Sequence, residues 1–256
     1  MIPIGDDNRD RRTTPLITWA LIALNVFVFA YFQGFGSNER FTYAYATVPA
    51  EILSGRDIVT PDRVFVDRST GSRVLVPGLQ PTPVPVVLTI FISMFMHAGL
   101  AHILGNMLYL LIFGDNVEDR LGHFRYLLFY LFCGAAASLA QVYATLFTGG
   151  ALKVPSLGAS GAISGVLGAY LLLFPRKRVR VLMGFFIVPV PAIFAVGTWF
   201  VFQLVNGLGY LGGGQTGGVA YAAHVGGFVA GFATVKIWEI GRRSPNTRAY
   251  RDIREP

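Results

Sequence analysis

Residues 158–175 read GASGAISGVLGAYLLLFP, and Arg176, Lys177, Arg178, Val179 and Arg180 follow directly. No charge interrupts the run, and a basic cluster stops it. That is the pattern of a membrane-crossing helix whose end is held on the cytoplasmic side. The rest of the chain agrees. Of its 256 residues 53% are hydrophobic and only 14% charged, and the mean hydropathy is +0.54. A soluble domain of this length needs more polar surface. Thirty glycines suit close helix packing in lipid.

Hydropathy predicts six spans, at 16–33, 100–114, 124–147, 160–174, 181–205 and 220–240. The second and fourth are short, and the third and fifth comfortably long. Residues 16–33 are read as an uncleaved first helix, because no small-residue cleavage site follows them. The predicted architecture is an all-α polytopic bundle: a cytoplasmic tail over 1–15, a six-helix domain over 16–240, and a basic cytoplasmic tail over 241–256. The long connection 34–99 carries Pro, Gly and alternating residues. Within it, 63–67 and 73–76, separated by Ser69–Ser72, predict a small β-hairpin. Residues 86–96 predict an interfacial or re-entrant piece.

The net charge of +7 comes from basic residues beside apolar spans. They point to topology control and contact with anionic membrane lipid, and not to nucleic acid. Arg9, Arg11 and Arg12 precede the first span. Arg120 and Arg125 join the second to the third, and Arg242, Arg243, Arg248, Arg251 and Arg254 follow the last. Both termini are therefore expected in the cytoplasm, with 34–99, 148–159 and 206–219 outside. A bacterial-type plasma membrane is the expected location. The single cysteine, Cys133, has no internal partner, and no His/Cys spacing suits a metal. No cofactor is implied.

Polar groups inside apolar spans are costly and are functional candidates by default. Four stand out: Ser160, His224, His102 and Asn106. Ser160 opens the fourth span between Gly158-Ala159 and Gly161. The glycines clear space around its hydroxyl, and a helix N-terminus offers free N–H groups to a developing oxyanion. The same motif, with Ser164 and Gly168 at helical spacing, also fits a packing surface. His224 lies in Ala223-His224-Val225-Gly226-Gly227, where an imidazole can act as a general base. His102 and Asn106 are four residues apart, on one helix face, and both can donate to a carbonyl oxygen. Interhelical polar contacts would account for them equally well. His97 lies at the loop edge and reads as structural or rim-lining.

Depth joins these groups. Ser160 is fifteen residues above Pro175, and His224 fifteen above Glu239. At the helical rise that is about 22 Å, several ångströms short of the hydrocarbon thickness. His102 and Asn106 lie about 24 and 18 Å above Glu118 by the same measure. Three helices so bring a nucleophile, a base and hydrogen-bond donors to one level. No Asp or Glu lies inside a span at that depth, so a base-activated serine is available and a triad is not.

With these motifs in place, the chain resembles the rhomboid family of intramembrane serine proteases from its first helix to its last. The matching elements are His97-Ala98 with His102 and Asn106; Glu118-Asp119-Arg120-Leu121-Gly122; Gly158-Ala159-Ser160-Gly161; and Ala223-His224-Val225-Gly226-Gly227. Their order also matches. The resemblance implies a six-helix core and a Ser–His dyad, with Ser160 as nucleophile and His224 as base. It implies an oxyanion site from His102, Asn106 and the Ser160 N–H, with transmembrane proteins as substrates. It makes the Glu118–Gly122 motif structural. Two departures stand out. Ser164 occupies a place where some relatives carry an aromatic stacked on the histidine, and the first outer loop lacks their Trp-Arg pair.

Three rivals remain: a catalytically silent relative that binds membrane clients, a transporter or channel, and a metalloprotease. Retention of Ser160 and His224 disfavours the first. Charges that avoid the spans disfavour the second. The third lacks an H-E-x-x-H motif.

Overall fold

The computed structural model describes residues 2–66, 73–211 and 220–241. Strand β1 (Ile2–Asp6) leads to α1 (Leu16–Phe27), whose end widens into a π-helical turn over Val28–Phe32. Short helices α2 (Glu39–Tyr45) and α3 (Pro49–Ser54), the hairpin β2 (Arg63–Val66) and β3 (Arg73–Val76), and α4 (Thr89–Ile92) make up the long connection. The bundle follows: α5 (Leu100–Leu121), α6 (His123–Phe147), α7 (Ser160–Leu173), strands β4 (Arg178–Met183) and β5 (Phe186–Pro191), then α8 (Ala192–Leu211) and α9 (Tyr221–Glu239).

Helix α7 is the axis. Every residue from Gly161 to Tyr170 is buried. A helix that is apolar on all sides is stable only when surrounded, and α5, α6, α8 and α9 surround this one. The outward faces of the other helices are apolar too. Leu104, Leu111, Phe132, Val201, Val205 and Val229 are all well exposed. Apolar side chains facing outward around a packed interior are what a hydrocarbon solvent requires. α5 and α6 are each long and apolar enough to cross a membrane, whereas Leu16–Phe32, Ser160–Leu173 and Ala192–Leu208 are shorter apolar helices.

The bundle's polar lock lies at the end of α5. The first turn of α1 has no side-chain cap of its own, so its N–H groups need an acceptor from elsewhere. Glu118, fully buried, accepts from the backbone N–H of Ile17 at 2.8 Å and of Thr18 at 2.7 Å, and from the Thr18 hydroxyl at 2.7 Å. Asp119 accepts from the N–H groups of Arg12 and Thr13, and Arg120 pairs with Glu239 on α9. Gly122 then reverses the chain between α5 and α6 at φ 79°, a conformation that costs a residue with a Cβ. The motif is therefore a clasp joining α1, α5, α6 and α9.

Several boundaries differ from the sequence reading. The second span extends to Leu121. The fifth does not begin at 181: residues up to Pro191 form β4 and β5, and the helix starts at Ala192. Pro189 and Pro191 are therefore strand residues and bend no helix. β5 is an edge strand of the sheet β1-β4-β5, where a residue without an N–H is tolerated. Val179 and Val181 on β4 pair with Val190 and Val188 on β5. These alternating valines are as apolar as a span, so hydropathy does not separate the two structures. Within residues 1–15, β1 pairs antiparallel with β4. The loop read at 206–219 is helical as far as Leu211. Its residues 212–219, the hairpin turn Ser69–Ser72 and the arginines from Arg242 onward lie outside the described residues.

Candidate active site

Ser160 is the first residue of α7. The loop before it enters the bundle without secondary structure, so its backbone groups need partners there. The long connection supplies them. Thr47 and Ser156 exchange two backbone hydrogen bonds, at 3.0 and 2.8 Å, and the Ser93 carbonyl accepts from Gly158 N–H at 2.9 Å. Gly158 turns the chain at φ 128°, and a Cβ there would lie 2.9 Å from His102 Cε1. Glycine is thus required twice, for its backbone conformation and for the approach of the imidazole. A Cβ on Gly161 would press on that of Ala137, so this residue lets α7 close on α6.

His224, on the first turn of α9, places Nε2 2.9 Å from Ser160 Oγ. The α7–α9 seam that brings them together is made of glycines: Cβ atoms on Gly227 and Gly231 would overlap the carbonyl oxygens of Gly161 and Gly165. The other imidazole nitrogen, Nδ1, lies 2.9 Å from Gln203 Oε1 on α8. Ser164 does not meet the histidine. Its hydroxyl donates back to the Ser160 carbonyl at 2.6 Å. Instead Trp199 lies beside the imidazole, ring centres 6.1 Å apart, and Tyr221 meets it edge-on at 6.4 Å.

His102 Nδ1 accepts from Ala98 N–H at 3.3 Å. A neutral imidazole that accepts at one nitrogen carries its proton on the other, so Nε2–H faces the side of Gly158. Asn106, one turn along, is nearly buried, and its amide nitrogen has no partner. A buried amide donor without an acceptor is costly, and this one lines a cavity of about 750 Å³ together with His102, Ser160, Gln203 and His224. No carboxylate lines it among the described residues.

His97 does not line this cavity. It is fully buried, its backbone exchanges hydrogen bonds with the Gln33 amide at 2.8 and 3.0 Å, and its ring packs edge-on against Phe29 and His102. Its ring packs behind that of His102. Ser160, His224, His102 and Asn106 do converge. Gln203 is the residue the sequence reading missed. The signal was an amide in an apolar run, but a span drawn over 181–205 put it at the membrane surface, where a polar residue costs little.

Comparison with known proteins gives a match to the family model for the Rhomboid domain over residues 85–238. Rhomboid protein 1, mitochondrial, of Saccharomyces cerevisiae is 34% identical over 154 residues, covering 60% of this chain and 42% of that protein. Rhomboid protease GluP of Bacillus subtilis is 32% identical over 137 residues, 54% of this chain and 23% of that protein. The human presenilin-associated rhomboid-like protein, mitochondrial, is 29% identical over 201 residues, 70% and 48% of the two chains. The chain spans less than half the length of these curated relatives.

Proposed function

The chain belongs to the rhomboid family of integral membrane proteins, and from that premise we propose that it is an intramembrane serine endopeptidase that cuts transmembrane segments of other membrane proteins. The observation that carries the reading is the 2.9 Å contact between Ser160 Oγ and His224 Nε2 inside a cavity lined by unpaired donors. Ser160 attacks the scissile carbonyl carbon while His224 Nε2 takes the hydroxyl proton. The oxyanion forms beside His102 Nε2–H, the Asn106 amide and the Ser160 N–H. As the C–N bond breaks, His224 returns the proton to the leaving amine, and an acyl ester on Ser160 remains. Water then attacks the ester, with His224 again as base, and releases the new carboxyl end.

Six spans with both termini in the cytoplasm are part of this proposal, as is a bacterial-type plasma membrane; α1, α7, α8 and α9 join α5 and α6 in crossing. A substrate helix reaches the cavity sideways from lipid. A second cavity of about 380 Å³ along α5 and α8, lined by Tyr109, Phe113, Trp199 and Phe202, supports an approach between these helices. The door in this reading is α8 itself. The substrate must unwind locally, because helical peptide bonds are hydrogen-bonded, so Gly or Pro near its cut site assists.

The test pairs fluorophosphonate labelling with cleavage of a panel of single-span membrane proteins. Wild type is expected to label and to cleave, and Ser160→Ala and His224→Ala to do neither while remaining folded in detergent. A folded wild-type protein that neither labels nor cleaves would instead be a silent, client-binding relative.

A further inference from the structure

A serine protease base must present a lone pair to the serine, and an imidazole does so only when its other nitrogen holds the proton. In a triad an acid fixes that tautomer. No carboxylate lines this cavity among the described residues; its titratable side chains besides His224 are His102 and Tyr109 on α5, and Tyr221 on α9 meets the imidazole edge-on. The ring nitrogen turned away from Ser160 is nevertheless satisfied. Gln203 Oε1, on α8, lies 2.9 Å from Nδ1, and Gln203 is itself 6% exposed.

We propose that Gln203 is the positioning residue of the active site: its amide oxygen accepts from His224 Nδ1–H and so holds the base in the tautomer and ring orientation that Ser160 needs. This rests on the dyad reading above. The chemistry suits the setting. An amide oxygen only accepts, so with Oε1 toward the ring the proton must sit on Nδ1 and the lone pair on Nε2. A carboxylate would do the same but would be a charge in an apolar bundle, with a large desolvation cost. An amide supplies the orientation without it. The helix that carries it is held against α9 by packing: Phe200 stacks on Phe228 of α9 at 4.0 Å between ring centres, and Trp199 lies along His224. Fixed orientation of a base by a packed neighbour is what converts a hydrogen bond into a rate.

The experiment has two arms. In the first, histidine is labelled with ¹⁵N in the whole protein, and the His224 signals are identified by their loss in His224→Ala. The nitrogen shifts and couplings are expected to report Nδ1–H in the resting wild type. In the second, Gln203→Leu, close in volume but with no acceptor, is expected to lower kcat about 10- to 100-fold, with KM little changed, and to turn the His224 signal toward the Nε2–H tautomer. Gln203→Glu, which keeps an acceptor oxygen in place, is expected to recover most of that rate. Should Gln203→Leu fail to fold, Gln203→Asn draws the acceptor back by one carbon and serves in its place. A wild-type Nε2–H tautomer, or a Leu variant with unchanged rate and tautomer, overturns the proposal. Failure of the dyad reading would show separately, as a wild type that fluorophosphonate does not label.

Discussion

Glu118 on α5 caps a helix that is not its own: its carboxylate takes both the N–H and the hydroxyl of Thr18, each at 2.7 Å, one hundred residues away in the chain. Glu118→Ala would leave two N–H groups and a hydroxyl without an acceptor in a buried place. Each such group costs about 1–3 kcal/mol, so the variant is expected to lose roughly 3 kcal/mol or more. Thermal unfolding in detergent measures it, and Glu118→Gln, which keeps one oxygen, should fall between the two. Equal melting of all three would show that the clasp does not hold α1.

The α7–α9 seam makes a second prediction. Gly227→Ala puts a carbon against the Gly161 carbonyl, one residue from Ser160. The helices must part, and an ångström of misplacement costs about 10²-fold in rate. Activity should therefore fall further than the melting temperature does. Gly197→Ala on α8 meets nothing within 4 Å and is expected to be neutral, or more stable by up to ~1 kcal/mol, as alanine is the better helix former. If the two variants behave alike, close approach at the seam is not what aligns Ser160 with His224.

Asn106→Ala and His102→Ala remove proposed oxyanion donors. Loss of one such donor lowers kcat about 10²–10³-fold, with the Ser160 N–H still present, so residual turnover should remain. Steady-state cleavage with a single-span substrate checks this. Wild-type rates in both variants and in the double variant would make these residues packing contacts.

Asp6 on β1 sets a pH dependence. Burial raises its carboxyl from 3.8 to about 6, against the lowering effect of hydrogen bonds from Tyr170 and Asn116. A folded pKa above the unfolded one means that the folded chain binds the proton more tightly. The stabilisation is complete below about pH 4 and is lost as pH rises through 6, a change of up to roughly 3 kcal/mol. Asp6→Asn keeps an acceptor for Tyr170 and Asn116 and removes the charge. It should melt above wild type at pH 7.5 and converge with it near pH 4. A constant difference between the two at both pH values would rule out titration of Asp6 as the cause.

Topology is the fifth expectation. A reporter fused after Pro256 should be cytoplasmic, and one inserted between Val66 and Arg73 external. The reverse would overturn the orientation of the site toward the outer side.

The polar residues of the site were legible because a polar group in an apolar run has few innocent reasons to be there. Ser160, His224, His102 and Asn106 each broke such a run, and their counts from Pro175, Glu239 and Glu118 put them at one level. The sheet was not legible in the same way. Val179 and Val181 are buried, Val190 half-buried and Val188 exposed, yet all four are strand residues, and hydropathy sums do not depend on whether the period is 2 or 3.6. Gln203 was lost with that boundary, since its depth depends on where α8 begins.

What the sequence determined alone is the membrane class of the chain, the order of its motifs and the residue types able to do chemistry, because these follow from transfer energies of single side chains and from helical rise. What only the tertiary structure decided is which atoms meet. Ser160 and His224 stand 64 residues apart, and Gln203 comes from a third helix. Their contacts exist because Gly161, Gly165, Gly227 and Gly231 let two backbones approach until carbonyl oxygens take the space of missing side chains. That closeness depends on both helices at once, and no local stretch of sequence contains it.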